Sequence, residues 1–318
     1  MTISQEFNGD YRIIITDKNG MINDTGWINN LVLNSGLDKM GSLAAAGGGS
    51  PISYIRLGTG TSTPIATQTS LDNQIASAEC YPITSASNSS TFRCLFSQGQ
   101  ISGTITEVGS GWTASGPTLY SRSKLVTPIL ILSTDQVEIL YTVKSNPPTM
   151  APGSVIINGI SYAYTSYYAR GPGDFNGKTT VGTAFPSQSK VTAVFGIGAN
   201  PGTTSSYYGY AVAGFPPEPF KYNGNYNPFL SLNPPQPGGI TYNTSTYVPG
   251  TYYLDCTSSW FSSSYAPNPA TVGIRGLWIT YSNLAYQLYF NTPIPKTGNS
   301  TISLTLRSSW AAGGPSTF

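Results

Sequence analysis

Apolar and polar residues alternate along much of the chain, and a two-residue period of this kind predicts strands that have one face buried. The first clear case is "YRIIITD" at residues 11–17, followed by Asn19-Gly20 and the returning stretch "MINDTGWI". An Asn-Gly pair between two such runs favours a tight hairpin turn. The sequence therefore predicts that the chain opens with a β-hairpin.

Longer alternating segments follow. They cover residues 91–109 and 119–144, with an interruption at Pro128, and the connections between them are too short for crossover helices. Short connections favour antiparallel pairing. Similar patterns recur at residues 154–168, 178–198 and in the two final stretches "VGIRGLWITYSNLAYQLYFN" and "STISLTLRSSW". Strands are thus expected both before residue 199 and in the last part of the chain.

A helical period is strongest at residues 30–46. Leu37, Met40 and Leu43 fall on one side of such a helix, Asn34 or Ser35 can cap it, and "GGGSP" at residues 47–51 ends it. Ser70 could cap a further helical turn through "LDNQIASA". Together the patterns predict an all-β fold with one or two short helices and long loops. We expect two β-sandwich or jelly-roll-like parts, residues 1–148 and 149–318.

Residues 199–251 have no clear periodicity. They contain two charged residues, Glu218 and Lys221, together with the clusters "GFPPEPF" and "NPPQPGG". Segments of this length without periodicity are usually functional loops or extended arms. The tyrosines of residues 205–253 are candidates for a subunit interface or for stacking on sugar rings. These candidates are Tyr207, Tyr208, Tyr210, Tyr222, Tyr226, Tyr242, Tyr247, Tyr252 and Tyr253.

Charge is unusually sparse. Charged residues make up 9% of the chain, there is no histidine, and the net charge is +2, whereas ordinary soluble domains are about 25% charged. This balance gives no electrostatic case for binding nucleic acid or an anionic membrane. A surface of Tyr, Ser, Asn and Gly resembles an interface, so we expect a homo-oligomer. The alternative is a neutral extracellular domain.

The N-terminal sequence lacks a basic segment followed by an apolar one, and no run of 18 apolar residues occurs. These features predict a protein that folds in the cytoplasm, is not exported by a cleaved signal and does not insert into a membrane. The three cysteines are Cys80, Cys94 and Cys256. Three reduced, buried thiols are favoured, although Cys80 and Cys94 could face each other across a hairpin.

The glycine-rich stretch "GTGTSTP" at residues 58–64 superficially resembles a phosphate-binding loop. A Walker-type loop needs a following lysine, and none lies between Lys39 and Lys124. The dinucleotide fingerprint needs a third glycine and a following helix, but Pro64 follows instead. We therefore expect a sharp turn at these glycines, and no cofactor.

The sequence contains few residues that could support catalysis or metal binding. Histidine-based triads are excluded because histidine is absent, and three dispersed cysteines do not make a zinc site. Paired carboxylates remain the one general hydrolase option. Glu107 and Glu138 lie inside alternating strands, where a carboxylate is more often solvated or salt-bridged, and Arg122 is a suitable partner. We expect no enzyme activity. The carboxylates considered are Glu107, Asp135, Glu138, Asp174, Glu218 and Asp255.

Several of these stretches together resemble a known group of proteins. "DTGWINNLVLNSGLDKMG" followed by "YIRLGTGTSTPIATQTSLDNQIAS" resembles the opening of many bacteriophage tail and tail-fibre proteins. "GTITEVG", "LYSRSKL" and "VEILYTV" are similar to the strands that follow in that class, and "AYQLYFNTPIPKT" with "LTLRSSW" to its closing strands. The likeness covers residues 11–144 and 274–310.

The resemblance implies a virion protein of the tail: a fibre, collar or baseplate-proximal component. It would be a trimer in a fibre or a larger ring in a collar, and it would attach to other phage tail proteins. We expect residues 1–50 to mediate that attachment and to be removable without unfolding the rest. The alternative function is a host-surface carbohydrate-binding adhesin that acts through residues 199–253. An enzyme that cleaves surface polysaccharide is disfavoured.

Overall fold

The fold of the chain is given by a computed structural model, which describes residues 2–45, 50–85, 89–146, 152–157, 159–169, 240–244, 246–260, 274–281, 284–294 and 302–314. Sixteen strands and one helix, α1 (Asn34–Ala45), form the regular structure of these residues. The all-β prediction is confirmed. The strands are β1 (Thr2–Thr16), β2 (Ile22–Asn29), β3 (Leu31–Val32), β4 (Tyr54–Gly58), β5 (Gln74–Ser85), β6 (Ser89–Phe96), β7 (Gly103–Gly111), β8 (Leu119–Ile131), β9 (Gln136–Asn146), β10 (Gly153–Ile157), β11 (Ile160–Ala169), β12 (Ile240–Thr244), β13 (Tyr253–Trp260), β14 (Ile274–Tyr281), β15 (Leu284–Ile294) and β16 (Ile302–Ala312).

The strands form two sheets. The larger has 12 strands in the order β12-β13-β16-β1-β9-β6-β5-β4-β7-β8-β3, with β2 also paired to β1. The smaller has four, in the order β10-β11-β15-β14. Strands β4 to β9 pair antiparallel throughout, as their short connections predict. The division of the chain after residue 148 stays a prediction, since β13 and β16 belong to the same sheet as β1.

The predicted opening hairpin is confirmed. β1 and β2 pair antiparallel, and Gly20 takes a φ of +80° in the turn between them. The Asp17 carboxylate accepts hydrogen bonds from the backbone N–H groups of Asn19 and Met21, each at 2.8 Å. A side chain that bonds to the backbone just ahead of it in this way fixes a turn.

Alternation along the central strands separates a buried face from an outer one. A cross-strand row of Ile13, Ile139, Cys94 and Cys80 lies on the buried face, one residue from each of β1, β9, β6 and β5. Cys80 and Cys94 lie directly opposite each other as free, buried thiols. The prediction of reduced thiols is confirmed for these two, and the side chain of Cys256 lies outside the described set.

The larger sheet curls so that its two ends share one core. The Tyr11 hydroxyl on β1 lies 2.7 Å from the Ser121 hydroxyl on β8, although five strands separate β1 from β8 in the sheet order. The core cluster accordingly joins Ile13 and Tyr141 from one part of the sheet to Ile105 and Leu125 from the other.

Helix α1 begins at Asn34 and ends at Ala45, close to its predicted bounds. Leu37 and Met40 are buried as expected. The Ser35 hydroxyl, however, donates a hydrogen bond of 2.6 Å to the Leu119 carbonyl, so it anchors the helix to β8. Gly36 has no room for a Cβ because the backbone of Tyr120 lies against it.

The second predicted helical turn, through "LDNQIASA", is wrong. Strand β5 begins at Gln74, and Ala76 and Ala78 pair with β4. Both alanines also pack against the core cluster. The alanines that favour a helix therefore serve here as small residues in a sheet, because tertiary pairing overrides weak local propensity.

The position of β1 overturns the expectation that residues 1–50 can be removed without unfolding the rest. Residues Thr2–Phe7 pair in parallel with Arg307–Ala312 of β16, while Glu6–Thr16 pair antiparallel with β9. β1 is thus an inner strand of the larger sheet. Its loss would remove core residues such as Phe7 and Ile13 and leave β9 and β16 without their shared partner strand.

Candidate functional site

The glycine-rich turn after β4 closes over a carboxylate of the same chain. The backbone N–H groups of Gly60 and Asn73 donate to Glu107 Oε1 at 2.8 Å and 3.0 Å, and that of Asp72 donates to Oε2 at 3.2 Å. A Cβ on either Gly58 or Gly60 would collide with this carboxylate. The turn therefore binds an anion, which was not expected from the sequence, and this anion is the side chain of Glu107.

Arg122 completes this cluster. Its Nε donates to Glu107 Oε2 at 2.9 Å, and its Nη2 donates to Asp72 Oδ2 at 2.7 Å. Arg122 and Glu107 are fully buried. The Ser62 hydroxyl donates to Asp72, and this bond, together with Arg122, holds the pKa of the Asp72 carboxyl below its usual value. Arg122, the expected partner for a strand carboxylate, thus binds Glu107 and not Glu138, and the turn is a structural clamp between β4, β7 and β8.

The other carboxylates considered for catalysis are also engaged wherever they are described. Glu138 pairs with Arg93 at 2.8 Å and Asp255 with Arg307 at 2.8 Å, while Asp135 accepts the backbone N–H of Leu132. Asp174 and Glu218 lie outside the described residues. Within the described ranges, no group of three or more Asp, Glu, His or Cys residues could hold a metal ion.

The candidate tyrosines are described only in part. Tyr207, Tyr208, Tyr210, Tyr222 and Tyr226 lie outside the described residues, and Tyr242 belongs to β12 opposite Ser258. The remaining three, Tyr247, Tyr252 and Tyr253, lie together in the segment that leads into β13.

Tyr247 is buried against α1. Its hydroxyl donates a hydrogen bond of 2.6 Å to Asp38 Oδ1, and its ring stacks on Trp310 with centroids 5.7 Å apart. Burial, followed by the Asp38 carboxylate, raises the pKa of Tyr247. Trp310 Nε1 donates to the Leu37 carbonyl at 2.9 Å, and Gly41 leaves no room for a Cβ beside either ring. We assign Tyr247 to the packing of its own chain.

The other two tyrosines connect the same segment to β16. Tyr252 adopts a φ of +53°. Its carbonyl accepts a hydrogen bond of 2.9 Å from the backbone N–H of Trp310. The Arg307 guanidinium lies 3.8 Å from the ring centroid of Tyr253 and also binds Asp255 through two nitrogens. All three tyrosines thus help to dock residues 247–255 on β16 or α1.

Sequence reasoning missed three exposed apolar side chains in the last part of β8 and directly after it, Val126, Leu130 and Leu132, which we call the apolar ridge. Val126 is 97% exposed, and the other two are more than half exposed. Ile105 pairs with Ile129 whereas Glu107 pairs with Lys124, so β8 carries extra residues in a bulge around Pro128. The signal in the sequence was the apolar run "VTPILIL", in which a proline interrupts the strand pattern.

The ridge lies beside a free sheet edge. β8 pairs with β7 on one side, and on the other side β3 covers only Ser121 and Arg122. No described strand pairs with the rest of that edge. Lys124 and Pro128 discourage uncontrolled backbone pairing there, which leaves the apolar side chains as the surface available for contact.

Comparisons with known proteins add no relative. No protein-family model matches the chain, and no curated protein or solved structure is significantly similar to it. In the described part of the chain no helix is long and apolar enough to cross a membrane. What is established is therefore the class of fold, an all-β protein with one helix in its described residues.

Proposed function

We propose that this chain is a structural component of a bacteriophage tail, placed in a fibre, a collar or near the baseplate. It acts by forming a homo-oligomer and by attaching to other tail proteins, with no catalytic step. The observation that carries the proposal is the exposed ridge Val126–Leu130–Leu132 on a chain with only 9% charged residues. Apolar surface of this kind usually marks a contact with another protein.

The sequence resemblance to tail proteins supports the same function independently of the apolar ridge. Its most distinctive stretch, residues 54–71, forms β4, the clamp over Glu107 and the buried Leu71. These residues hold the scaffold together. The resemblance is therefore one of scaffold, as expected if related tail proteins share a fold and differ in their outer surfaces.

The placement in the virion is tested on purified particles made by the phage genome that encodes the chain. Tandem mass spectrometry should find its peptides, and gold-labelled antibodies should mark the tail under the electron microscope. Peptides absent from the particles, or a label confined to the capsid, would reject the tail assignment.

The contact surface is tested by Leu130→Asp, with Ile65→Asp as the matched control. Both residues are more than half exposed, but only Leu130 belongs to the ridge. A buried unpaired charge at an interface is strongly unfavourable, so Leu130→Asp should dissociate the oligomer in sedimentation velocity while Ile65→Asp should not. Equal oligomer masses for both variants would move the interface away from β8.

A further inference from the structure

A continuous row of outward-facing side chains crosses five strands of the larger sheet. In register from β2 to β5 it contains Trp27, Arg12, Leu140, Arg93 and Tyr81. On the three inner strands of this set, β1, β9 and β6, the residues before and after each position are buried. We call this set the outer row. Four interstrand steps of about 4.8 Å separate its two aromatic ends by roughly 19 Å.

The outer row contains the same chemical group twice, once on each side of Leu140. In the first, Arg12 binds Asp24 through Nε and Nη2 and lies 6.0 Å from the ring centroid of Trp27. In the second, Arg93 binds Glu138 at 2.8 Å and 3.2 Å and donates to the Tyr81 hydroxyl at 3.3 Å. Each group is an aromatic ring, a guanidinium and a carboxylate.

These groups remain accessible. Trp27 is 38% exposed and Tyr81 is 49% exposed. The four charged side chains of the two ion pairs are each about one third exposed. Ion pairs at such positions contribute at most about 1 kcal/mol to stability. The fold therefore depends little on them, and both polar groups can still form hydrogen bonds with a ligand.

The net charge at the outer row indicates which class of ligand it can bind. Each arginine of the outer row is paired with a carboxylate beside the row, Asp24 or Glu138, so the row and these two partners together are neutral. Phosphate-bearing partners such as nucleic acids need cations that are free to neutralise them, and here both guanidiniums are already paired. A neutral polyhydroxyl ligand fits better, because its apolar ring faces can stack on Trp27 and Tyr81 while its hydroxyls bind the paired charges.

We propose that the outer row binds an extended, neutral oligosaccharide of several linked rings, with Trp27 and Tyr81 as its two stacking positions. Arg12 with Asp24, and Arg93 with Glu138, orient the rings by accepting and donating hydrogen bonds to hydroxyls. This site lies on the rigid sheet and involves none of the tyrosines of residues 199–253. It goes beyond the tail function and does not depend on it.

The experiment probes the purified full chain with an array of linear neutral oligosaccharides of increasing length and with acidic ones. The wild-type protein should bind neutral chains, more tightly as they lengthen. Trp27→Ala and Tyr81→Ala should each weaken binding by about tenfold or more, the usual loss for an aromatic anchor. Trp27→Phe, which keeps a ring, should retain most of the affinity.

Trp112→Ala is the matched control, since Trp112 also lies near a cation, Lys39 at 5.6 Å, but outside the outer row. It should bind like the wild type. The proposal is overturned if no neutral glycan binds, if the Trp27 and Tyr81 variants bind normally, or if only acidic glycans bind in a salt-sensitive way. Loss of the oligomer in those two variants would also overturn it, because the row would then be a subunit interface. A tail protein that binds no glycan would fail here and still be found in particles.

Discussion

At the scale of single residues, the clearest feature is the use of charge inside the fold. The chain has few charged residues, yet Arg56, Glu107 and Arg122 are fully buried. Arg56 donates to the carbonyls of Thr113 and Gly116, so its charge organises the loop between β7 and β8. Buried ions are tolerated only when hydrogen bonds replace water. These residues therefore position loops, and their removal should be costly.

Glu107→Gln tests this directly. Removing one partner of a buried ion pair costs about 3–5 kcal/mol, and we expect the lower end because Asp72 still contacts Arg122. The matched control is Glu138→Gln, whose partner Arg93 is about one third exposed, and it should cost no more than about 1 kcal/mol. Urea unfolding measures both. Similar losses for the two variants would show that the clamp is not a major source of stability.

The buried tyrosines Tyr11, Tyr120 and Tyr141 predict sensitivity to alkali. Burial raises the pKa of all three above their ordinary value of 10.0. In the unfolded chain they would ionise near that value, so the unfolded state loses protons that the folded state keeps. Stability should therefore be fully present below about pH 10 and fall as the pH rises above it. Phenolate absorbance from these residues should appear only together with unfolding. Their ionisation at pH 10 in a folded protein would contradict this.

At the scale of elements, the sequence predicted those whose signals are local. The Asn19-Gly20 hairpin, helix α1 and the alternating strands β6 to β9 follow from turn chemistry and periodicity. The Arg122–Glu107 pair was also foreseeable, because two opposite charges sit in neighbouring strands. The second helical turn was wrong because the neighbouring strand, and not local preference, decides the structure of Ala76 and Ala78.

Other features have no local signal. The parallel pairing of β1 with β16 joins residues about 300 positions apart, and the outer row exists only once five strands are in register. The clamp over Glu107 likewise needs β4, β7 and the start of β5 to meet. Pairing between strands so far apart in the sequence depends on the fold as a whole. The spacing of apolar residues within one segment does not reveal it.

The substitution Gly41→Ala tests how tightly α1 packs against the rings of Tyr247 and Trp310. Alanine improves helix propensity by about 1 kcal/mol, but its Cβ would press on the rings of Tyr247 and Trp310, and overpacking costs about 1–3 kcal/mol. We expect a net loss of between zero and about 2 kcal/mol in thermal or urea unfolding. Ser42→Ala, at the exposed neighbouring position, should change stability by less than about 0.5 kcal/mol. A stabilised Gly41→Ala would show that the rings can move aside.

Cys80 on β5 and Cys94 on β6 face each other as free thiols, so we predict that no cysteine is essential. Burial raises the pKa of both thiols, to about 12 for Cys94, so they stay protonated and unreactive in the folded protein. Replacing all three cysteines by serine should cost a few kcal/mol at most and leave assembly intact. The unfolded wild-type chain should titrate three free thiols. Finding one, or losing assembly with Cys80→Ser and Cys94→Ser alone, would reveal a structural disulfide.

At the scale of the whole molecule, the two ends of the chain meet. β16 completes one side of β1, and Trp310 anchors α1 through the Leu37 carbonyl. The N-terminal stretch that resembles tail proteins therefore cannot fold independently of the C-terminal strands, and we expect attachment to other tail proteins to depend on the intact chain. The free edge of β8, with its apolar ridge, lies near one end of the larger sheet, separated from β1 by five strands in the strand order.

The most direct test of assembly is the mass of the native protein at micromolar concentration. One chain weighs 33.7 kDa. The proposed tail component should give a single species at a whole multiple of that mass, three chains for a fibre or more for a ring, and Leu130→Asp should return it to one chain. A wild-type protein that stays at 33.7 kDa as its concentration rises would contradict the claim that this chain works as a homo-oligomer.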